Sequence, residues 1–196
     1  LAVWLGVLIG AVCAQAQVVN PGFEKDAEGW KTYWNRFEID ASTAHGGEKS
    51  LRLSSETAKT VPERPSGAYQ SVALDQQEPA PFTVGVWGKT KDLVMLGKDR
   101  VGDAGSWARM RLFITFQDGS SLSTARGKND PVFSFDEKDT DWTYKERIFV
   151  YDKPVKSVAV YFMMHNCTGT VWFDDLFFEQ AGKPELPGMI HHLFLL

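Results

Sequence analysis

Apolar and polar residues alternate with a period of two along the central part of the chain, as in strands that bury one face. In one such segment Phe82, Val84 and Val86 share a face, and Trp87 lies on the other. The pattern, in full or in shorter form, predicts strands at residues 50–54, 69–74, 82–89, 110–116, 144–150, 158–164 and 170–179. Because no segment sustains a helical period, we predict an all-β fold, a two-sheet antiparallel β-sandwich of jelly-roll type.

The alternation changes phase once, in the last predicted strand. Val171 and Phe173 share one face, and the next apolar residue in phase is Leu176. This three-residue step predicts a β-bulge at Asp174 and Asp175. Paired carboxylates at a distorted strand suit a hard cation such as calcium, but they are also typical of a solvated acidic turn. The residues of this stretch leave the two interpretations open.

A long connection is predicted between two of the strands. Residues 91–107 exceed what a hairpin needs and end in Trp107. Long loops on a rigid sandwich often carry function. We therefore expect this insertion to take part in a binding site.

The two ends of the chain differ from the middle. Residues 1–16 are uncharged, almost wholly apolar and finish in Ala14-Gln15-Ala16, which predicts a secretory signal peptide. Residues 181–196 contain two prolines and predict a linker with a truncated tail. The predicted domain is residues 17–180, in a protein that is secreted, extracellular or periplasmic, without a membrane anchor after cleavage. Further domains of the same polypeptide are possible partners.

Charge and cysteine content indicate which partners the protein can have and how the domain is stabilised. The formal net charge is -4 and basic residues are interleaved with acidic ones, so we expect no nucleic-acid partner. After signal cleavage Cys167 is the remaining cysteine, so the domain has no internal disulfide. A bound metal is another way to tie the ends of an exported domain together.

Six segments together carry a resemblance to a known group of proteins. They are Asn20-Pro-Gly-Phe-Glu24, Gly29-Trp30, Gly46-Gly-Glu-Lys-Ser-Leu-Arg-Leu53, Tyr69-Gln-Ser-Val72, Phe82-Thr-Val-Gly-Val-Trp-Gly-Lys89 and Val171-Trp-Phe-Asp-Asp-Leu176. In this order and spacing, the chain resembles the jelly-roll carbohydrate-binding modules of families four, nine and twenty-two, within the galactose-binding-domain-like fold. The resemblance covers nearly all of residues 18–179.

The resemblance implies a structural calcium between the N-terminal and C-terminal strands. The implied side-chain ligands are Glu24 and either Asp174 or Asp175. Main-chain carbonyls near Gly22 and Lys49 would complete the shell. These are oxygen ligands from distant segments, as calcium prefers.

The resemblance also implies non-catalytic binding of a polysaccharide or oligosaccharide on the concave sheet. Sugar rings stack their apolar faces on Trp and Tyr, and their hydroxyls bind amide, carboxylate or guanidinium groups. The candidate residues are Tyr69, Gln70, Trp87, Trp107, Arg111, Tyr161 and His165. Two alternatives stay open: Arg111 pairs with an acid in the sheet, or His165 is a face residue without a ligand. Trp30 and Trp172 are assigned to structure, and Trp34 and Trp142 are left unassigned.

Two other functional classes compete with sugar binding. A glycoside hydrolase or lyase needs paired carboxylates in a cleft, and the inferred second faces of the central strands carry none. A structural, adhesion or protein-docking module would fill its second face with apolar side chains. We therefore expect a non-catalytic module of the kind that accompanies a glycoside hydrolase or another carbohydrate-active enzyme.

Overall fold

The computed structural model describes residues 17–54, 64–96, 105–123 and 130–180. These residues contain eleven β-strands and no helix. Within these ranges there is accordingly no helix with the length and apolar character to cross a membrane. The predicted signal peptide and the predicted linker and tail lie outside the described residues, so they remain predictions.

The strands form two antiparallel sheets that pack face to face, which confirms the predicted jelly-roll β-sandwich. In sheet A the order is β1 (Lys31–Thr32), β4 (Ser66–Ala73), β10 (Val155–His165), β6 (Trp107–Phe116) and β7 (Ser121–Leu122), and β8 (Val132–Ser134) also pairs with β6. In sheet B the order is β2 (Glu38–Asp40), β3 (Ser50–Ser54), β11 (Cys167–Gln180), β5 (Phe82–Met95) and β9 (Thr140–Phe149).

The prediction of a loop over residues 91–107 is wrong at both ends, because both ends belong to strands. Strand β5 continues to Met95, which pairs with Cys167, and Trp107 is the first residue of β6. The alternation is hidden there because β5 is irregular: Asp92 has a positive φ of 49°, opposite a register shift in β11. Residues 97–104 of the predicted loop lie outside the described part of the chain.

The core lies between the two sheets and is rich in phenylalanine. Phe162 of sheet A stacks on Phe173 of sheet B, with 4.6 Å between ring centroids. Trp30 packs on the Phe162 ring at 5.3 Å and is only 6% exposed, which agrees with its structural assignment. Trp172 is also structural, because its Nε1 donates to Asp40 Oδ2 at 2.8 Å. These contacts fix how the two outer faces are oriented.

Gly169 allows the close approach of β11 and β5 at the irregular step. Its φ is +86°, and a Cβ there would lie 2.2 Å from the carbonyl oxygen of Asp92. We expect Gly169→Ala to lower the free energy of unfolding by more than about 2 kcal/mol, from left-handed strain plus the clash. Gly119→Ala is the matched control, because Gly119 has a φ of +83° but open space around its Cβ position. Chemical denaturation measures both, and equal losses would contradict the close approach.

Candidate functional site

Three of the predicted sugar-binding residues lie side by side on the outer face of sheet A. In the strand register Tyr161 of β10 is opposite Tyr69 of β4 on one side and Arg111 of β6 on the other. Directly paired residues in a sheet point to the same face. The preceding and following residues of β10, Val160 and Phe162, are fully buried, so this face points away from the core. The structure thus brings Tyr69, Tyr161 and Arg111 into one row.

A third tyrosine joins this row. The Tyr161 ring stacks on Tyr69 at 5.1 Å with an interplanar angle of 12°, and Tyr33 meets it edge-on at 5.0 Å. We call Tyr33, Tyr69 and Tyr161 the tyrosine cluster. Burial raises the pKa of the Tyr161 hydroxyl, and the nearby Tyr33 and Tyr69 hydroxyls raise it further. Within the described part of the chain no protein group is hydrogen-bonded to the three hydroxyls, which leaves them available to a ligand.

Arg111 and Phe113 extend the cluster along β6. Arg111 Nε donates to the carbonyl oxygen of Ser123 at 2.8 Å, which fixes the direction of the guanidinium. The same guanidinium lies over the Phe113 ring at 5.4 Å, and Phe113 packs against Tyr161 at 5.3 Å. Phe113 is 40% exposed, a large fraction for a phenylalanine. The row therefore combines exposed ring surface with a positioned cation.

Trp107 and His165 form a second group on the same face. The two residues are paired in the register and their rings stack at 5.2 Å. The Arg109 guanidinium lies 4.0 Å from the centre of the Trp107 ring. His165 is four residues from Tyr161 along β10, which corresponds to roughly 13 Å along a strand. The outer face of sheet A thus carries two aromatic groups along one line.

Gln70 does not belong to this surface, and its assignment to the sugar site is corrected. It points to the opposite side of β4 from Tyr69 and is only 7% exposed. Its Oε1 accepts from the Val19 main-chain nitrogen at 2.6 Å, and its Nε2 donates to the Val19 carbonyl at 2.9 Å. Gln70 therefore holds the N-terminal segment, and its polar side chain is satisfied inside the fold.

Trp87 is also corrected, because it lies on the other side of the molecule. It belongs to β5 and pairs with Asp174 and Tyr144 on the outer face of sheet B. His45 stacks on its ring at 3.8 Å, and Tyr144 packs nearby at 5.2 Å. Trp87 therefore cannot share one ligand with the tyrosine cluster.

The structure adds residues that the sequence did not single out. Tyr33 follows the two-residue strand β1, which is too short to show alternation. Trp34, left unassigned from sequence, is 55% exposed and has the Arg64 guanidinium 4.3 Å from its ring centre. Arg109 occupies the outer-face position between Trp107 and Arg111. Its two-residue spacing from Arg111 was the one sequence signal that could have identified it.

The predicted bulge is present, and it shapes a second site on β11, the central strand of sheet B. Between Asp174 and Phe177 strand β11 advances three residues while β5 advances from Trp87 to Gly85. Asp175, the extra residue, has a φ of +45°. The main-chain nitrogen of Leu176 donates to the Pro21 carbonyl at 3.1 Å, which docks the N-terminal segment against the bulge.

Asp174 is fully buried at this point. Its Oδ2 accepts from the main-chain nitrogens of His45 and Gly46 at 2.7 and 3.2 Å, and its Oδ1 accepts from that of Asp175 at 2.8 Å. Burial is the main cause that raises the pKa of Asp174 to about 6, and the Asp175 charge adds to it. A buried carboxylate of this kind is stabilised by a positive partner.

Two more carboxylates, those of Glu24 and Asp175, lie against the adjacent glycines Gly46 and Gly47. Glu24 Oε1 accepts from the main-chain nitrogens of Glu48 and Lys49 at 2.9 and 3.0 Å, and a Cβ on Gly47 would lie 2.3 Å from it. Asp175 Oδ2 is 2.6 Å from His45 Nδ1, and a Cβ on Gly46 would lie 2.5 Å from it. Gly46 and Gly47 are thus in contact with the carboxylates of Asp175 and Glu24, respectively.

The predicted metal-binding residues lie around the adjacent Gly46 and Gly47, with Asp175 against Gly46 and Glu24 against Gly47. Gly22 lies beside the aspartates, since a Cβ there would be 3.1 Å from Asp175 Oδ1 and 3.8 Å from Asp174 Oδ1. In the described ranges no three His, Cys, Asp or Glu side chains are close enough to hold an ion alone. A cation here would therefore need main-chain carbonyls as well, such as those of Gly22 and Lys49. Carboxylates with carbonyls are the ligand set that calcium prefers, so the residues present fit the ion.

Comparisons with known proteins show where this fold occurs. No family model and no curated protein sequence matches the chain. Among solved structures, a family 16 carbohydrate-binding module aligns with a TM-score of 0.53 and 19% identity over 82% of this chain and 96% of that one. TmCBM61, solved in complex with β-1,4-galactotriose, aligns with a TM-score of 0.52 and 14% identity over 86% and 100%. The CBM22-1 xylan-binding domain of Xyn10C from Paenibacillus barcinonensis gives 0.51 and 13% over 83% and 92%.

These similarities cover nearly the whole length of each module. The chain therefore has the jelly-roll fold of carbohydrate-binding modules, as its sequence motifs indicated. At identities below 20% the comparison concerns the fold. The function has to be argued from the site.

Proposed function

We propose that this protein is a non-catalytic module that binds a polysaccharide or oligosaccharide on the outer face of sheet A. The observation that carries the proposal is the tyrosine cluster beside Arg111. Ring edges and hydroxyl groups lie next to exposed Phe113, so a sugar would meet both apolar and hydrogen-bonding surface. That two modules of the same fold bind a galactotriose and a xylan supports the class of ligand.

Two further parts of the proposal concern the state of the protein. A calcium ion held by Glu24, by Asp174 or Asp175, and by main-chain carbonyls near Gly22 and Lys49 would tie the N-terminal segment to β11. When bound, the ion would supply the positive partner of the buried carboxylate. Export is supported by the apolar leader in residues 1–16, and it agrees with a polysaccharide ligand.

Binding is tested by affinity electrophoresis of the protein in gels that contain soluble plant and algal polysaccharides. We expect retardation by at least one glycan, and we expect Tyr161→Ala to weaken it about tenfold, the loss of one good contact. Tyr161→Phe keeps the ring but removes the hydroxyl, so it distinguishes the contribution of stacking from that of a hydrogen bond. Tyr144→Ala is the matched control, since Tyr144 is a 38% exposed tyrosine on sheet B.

The outcomes of this experiment are distinct. If no glycan retards the protein, sugar binding is wrong and a protein-docking role replaces it. If Tyr144→Ala weakens binding and Tyr161→Ala does not, the site lies on sheet B instead. Release of reducing ends or unsaturated products from any of the polysaccharides would contradict the non-catalytic role.

A further inference from the structure

The two sheets differ sharply in charge. The six strands of sheet A contain neither Asp nor Glu, although the whole chain has 25 acidic residues and a net charge of -4. Their charged side chains are basic, and two of them, Arg109 and Arg111, lie two residues apart on one face of β6. The strands of sheet A therefore carry basic but no acidic side chains, in a protein that is acidic overall.

Three basic residues on sheet B, Arg52, Lys89 and Lys91, have acidic partners, whereas Lys145 and Arg147 donate to main-chain carbonyl oxygens. Arg52 Nη1 is 2.8 Å from Glu38 Oε2, and Lys89 Nζ is 3.2 Å from Asp141 Oδ1. On sheet A, Arg111 Nε and Nη2 donate to the carbonyl and hydroxyl oxygens of Ser123, which are neutral. Within the described residues no carboxylate is within ion-pair distance of Arg111. Its charge is thus positioned but not neutralised by these neighbours.

The neighbours of Arg111 also favour an anion. A guanidinium only donates hydrogen bonds and a tyrosine hydroxyl can donate one, whereas a carboxylate only accepts them and would repel an anion. No strand of sheet A supplies such an acceptor. A guanidinium fork matches the geometry of a carboxylate or sulfate group, and such charge-assisted bonds are stronger than neutral ones.

We propose that the ligand of the outer face of sheet A is an anionic glycan, whose carboxylate or sulfate groups bind Arg111 beside the tyrosine cluster. This inference rests on the proposed function. The shared chemistry is an oxyanion carried on a sugar chain. Uronate polymers and sulfated polymers are its two sources.

The experiment compares charged and uncharged forms of the same backbone. The probes are polygalacturonate, its highly methyl-esterified form, a sulfated galactan and the corresponding neutral galactan, each tested by affinity electrophoresis and calorimetry. We expect binding to a charged probe and at least about tenfold weaker binding to its neutral counterpart. Binding should also weaken when the salt concentration rises from 0.05 to 0.5 M, as a rough range for screening.

Variants locate the effect at Arg111. We expect Arg111→Gln to weaken binding to the charged probe at least about tenfold and to remove most of the preference over the neutral one. Arg111→Lys keeps the charge without the fork and is expected to be intermediate. Arg52→Gln changes the net charge equally but on sheet B, so it should leave binding unchanged; circular dichroism confirms that each variant is folded.

Each result decides between the inferences. Binding to polygalacturonate alone identifies carboxylate as the group, and binding to the sulfated galactan alone identifies sulfate. Equal affinity for charged and neutral forms overturns the anionic ligand but leaves sugar binding intact. Equal losses in Arg111→Gln and Arg52→Gln overturn the role of Arg111, and binding to no glycan at all overturns both proposals.

Discussion

Replacing Phe173 by alanine is expected to lower the free energy of unfolding by about 3–5 kcal/mol. Phe173 is fully buried in β11, stacks on Phe162 of sheet A at 4.6 Å and meets Phe135 edge-on at 5.4 Å. The truncation would leave a cavity between the two sheets, where packed side chains on both sides limit collapse. Chemical denaturation monitored by tryptophan fluorescence measures the loss.

The control lies on the same strand, beyond the bulge. Phe177 is 40% exposed, so Phe177→Ala should cost no more than about 1 kcal/mol. The double variant with Phe162→Ala should lose less than the two single variants added together, because the rings share one contact. Equal losses in Phe173→Ala and Phe177→Ala would mean that the phase change in β11 is wrong.

The sequence predicted the core well because burial in a sandwich repeats every second residue. Alternation places Phe82 and Phe173 on apolar faces, and they are 1% and 0% exposed. The same rule located the bulge, since an extra residue leaves a measurable step in the period. Around Asp92 and Gly169, β5 and β11 are both irregular, so the apolar residues no longer alternate and the sequence predicts a loop in place of the end of β5.

The binding surface was harder to predict because alternation separates inside from outside but does not assign a strand to a sheet. Trp87 and Tyr161 both point away from the core, yet they lie on opposite outer faces. The assignment needs the strand order, which is a long-range property. The prediction for Gln70 is wrong for a different reason. A polar residue is expected to face solvent, but the Gln70 amide is hydrogen-bonded to the main-chain N–H and carbonyl of Val19.

The calcium site stays a prediction, and it depends on motif residues rather than on the sheet to which a strand belongs. Lys49 donates its main-chain N–H to Glu24, and Asp175 lies against Gly46, the neighbour of the Gly47 that contacts Glu24. His45 was not expected there. Its main-chain N–H donates a hydrogen bond to Asp174, and its ring contacts Asp175. Neither contact has a sequence signature.

Removing calcium is expected to lower the midpoint of thermal unfolding by about 5–10 °C. A ligand that binds only the folded state at a free concentration 100 times its Kd stabilises it by about 2.7 kcal/mol, and each kcal/mol shifts the midpoint by roughly 2–4 °C in a domain of this size. The measurement is calorimetry with calcium and after EDTA treatment, with metal content verified by elemental analysis. Magnesium should restore less of the midpoint. Mg²⁺ is smaller than Ca²⁺ and requires a stricter octahedral geometry, which suits a site rich in main-chain carbonyls poorly.

Glu24→Gln separates this effect from simple loss of packing. The amide oxygen can still accept from the main-chain nitrogens of Glu48 and Lys49, but the charge that a cation needs is gone. We expect this variant to lose most of the calcium-dependent shift while it stays folded. Asp26→Asn is the matched control in the same segment, since the Asp26 side chain is 74% exposed and pairs with Lys49. If EDTA leaves the wild-type midpoint unchanged after verified metal removal, calcium has no structural role, and the N-terminal segment is held by protein contacts such as the Gln70–Val19 and Leu176–Pro21 hydrogen bonds.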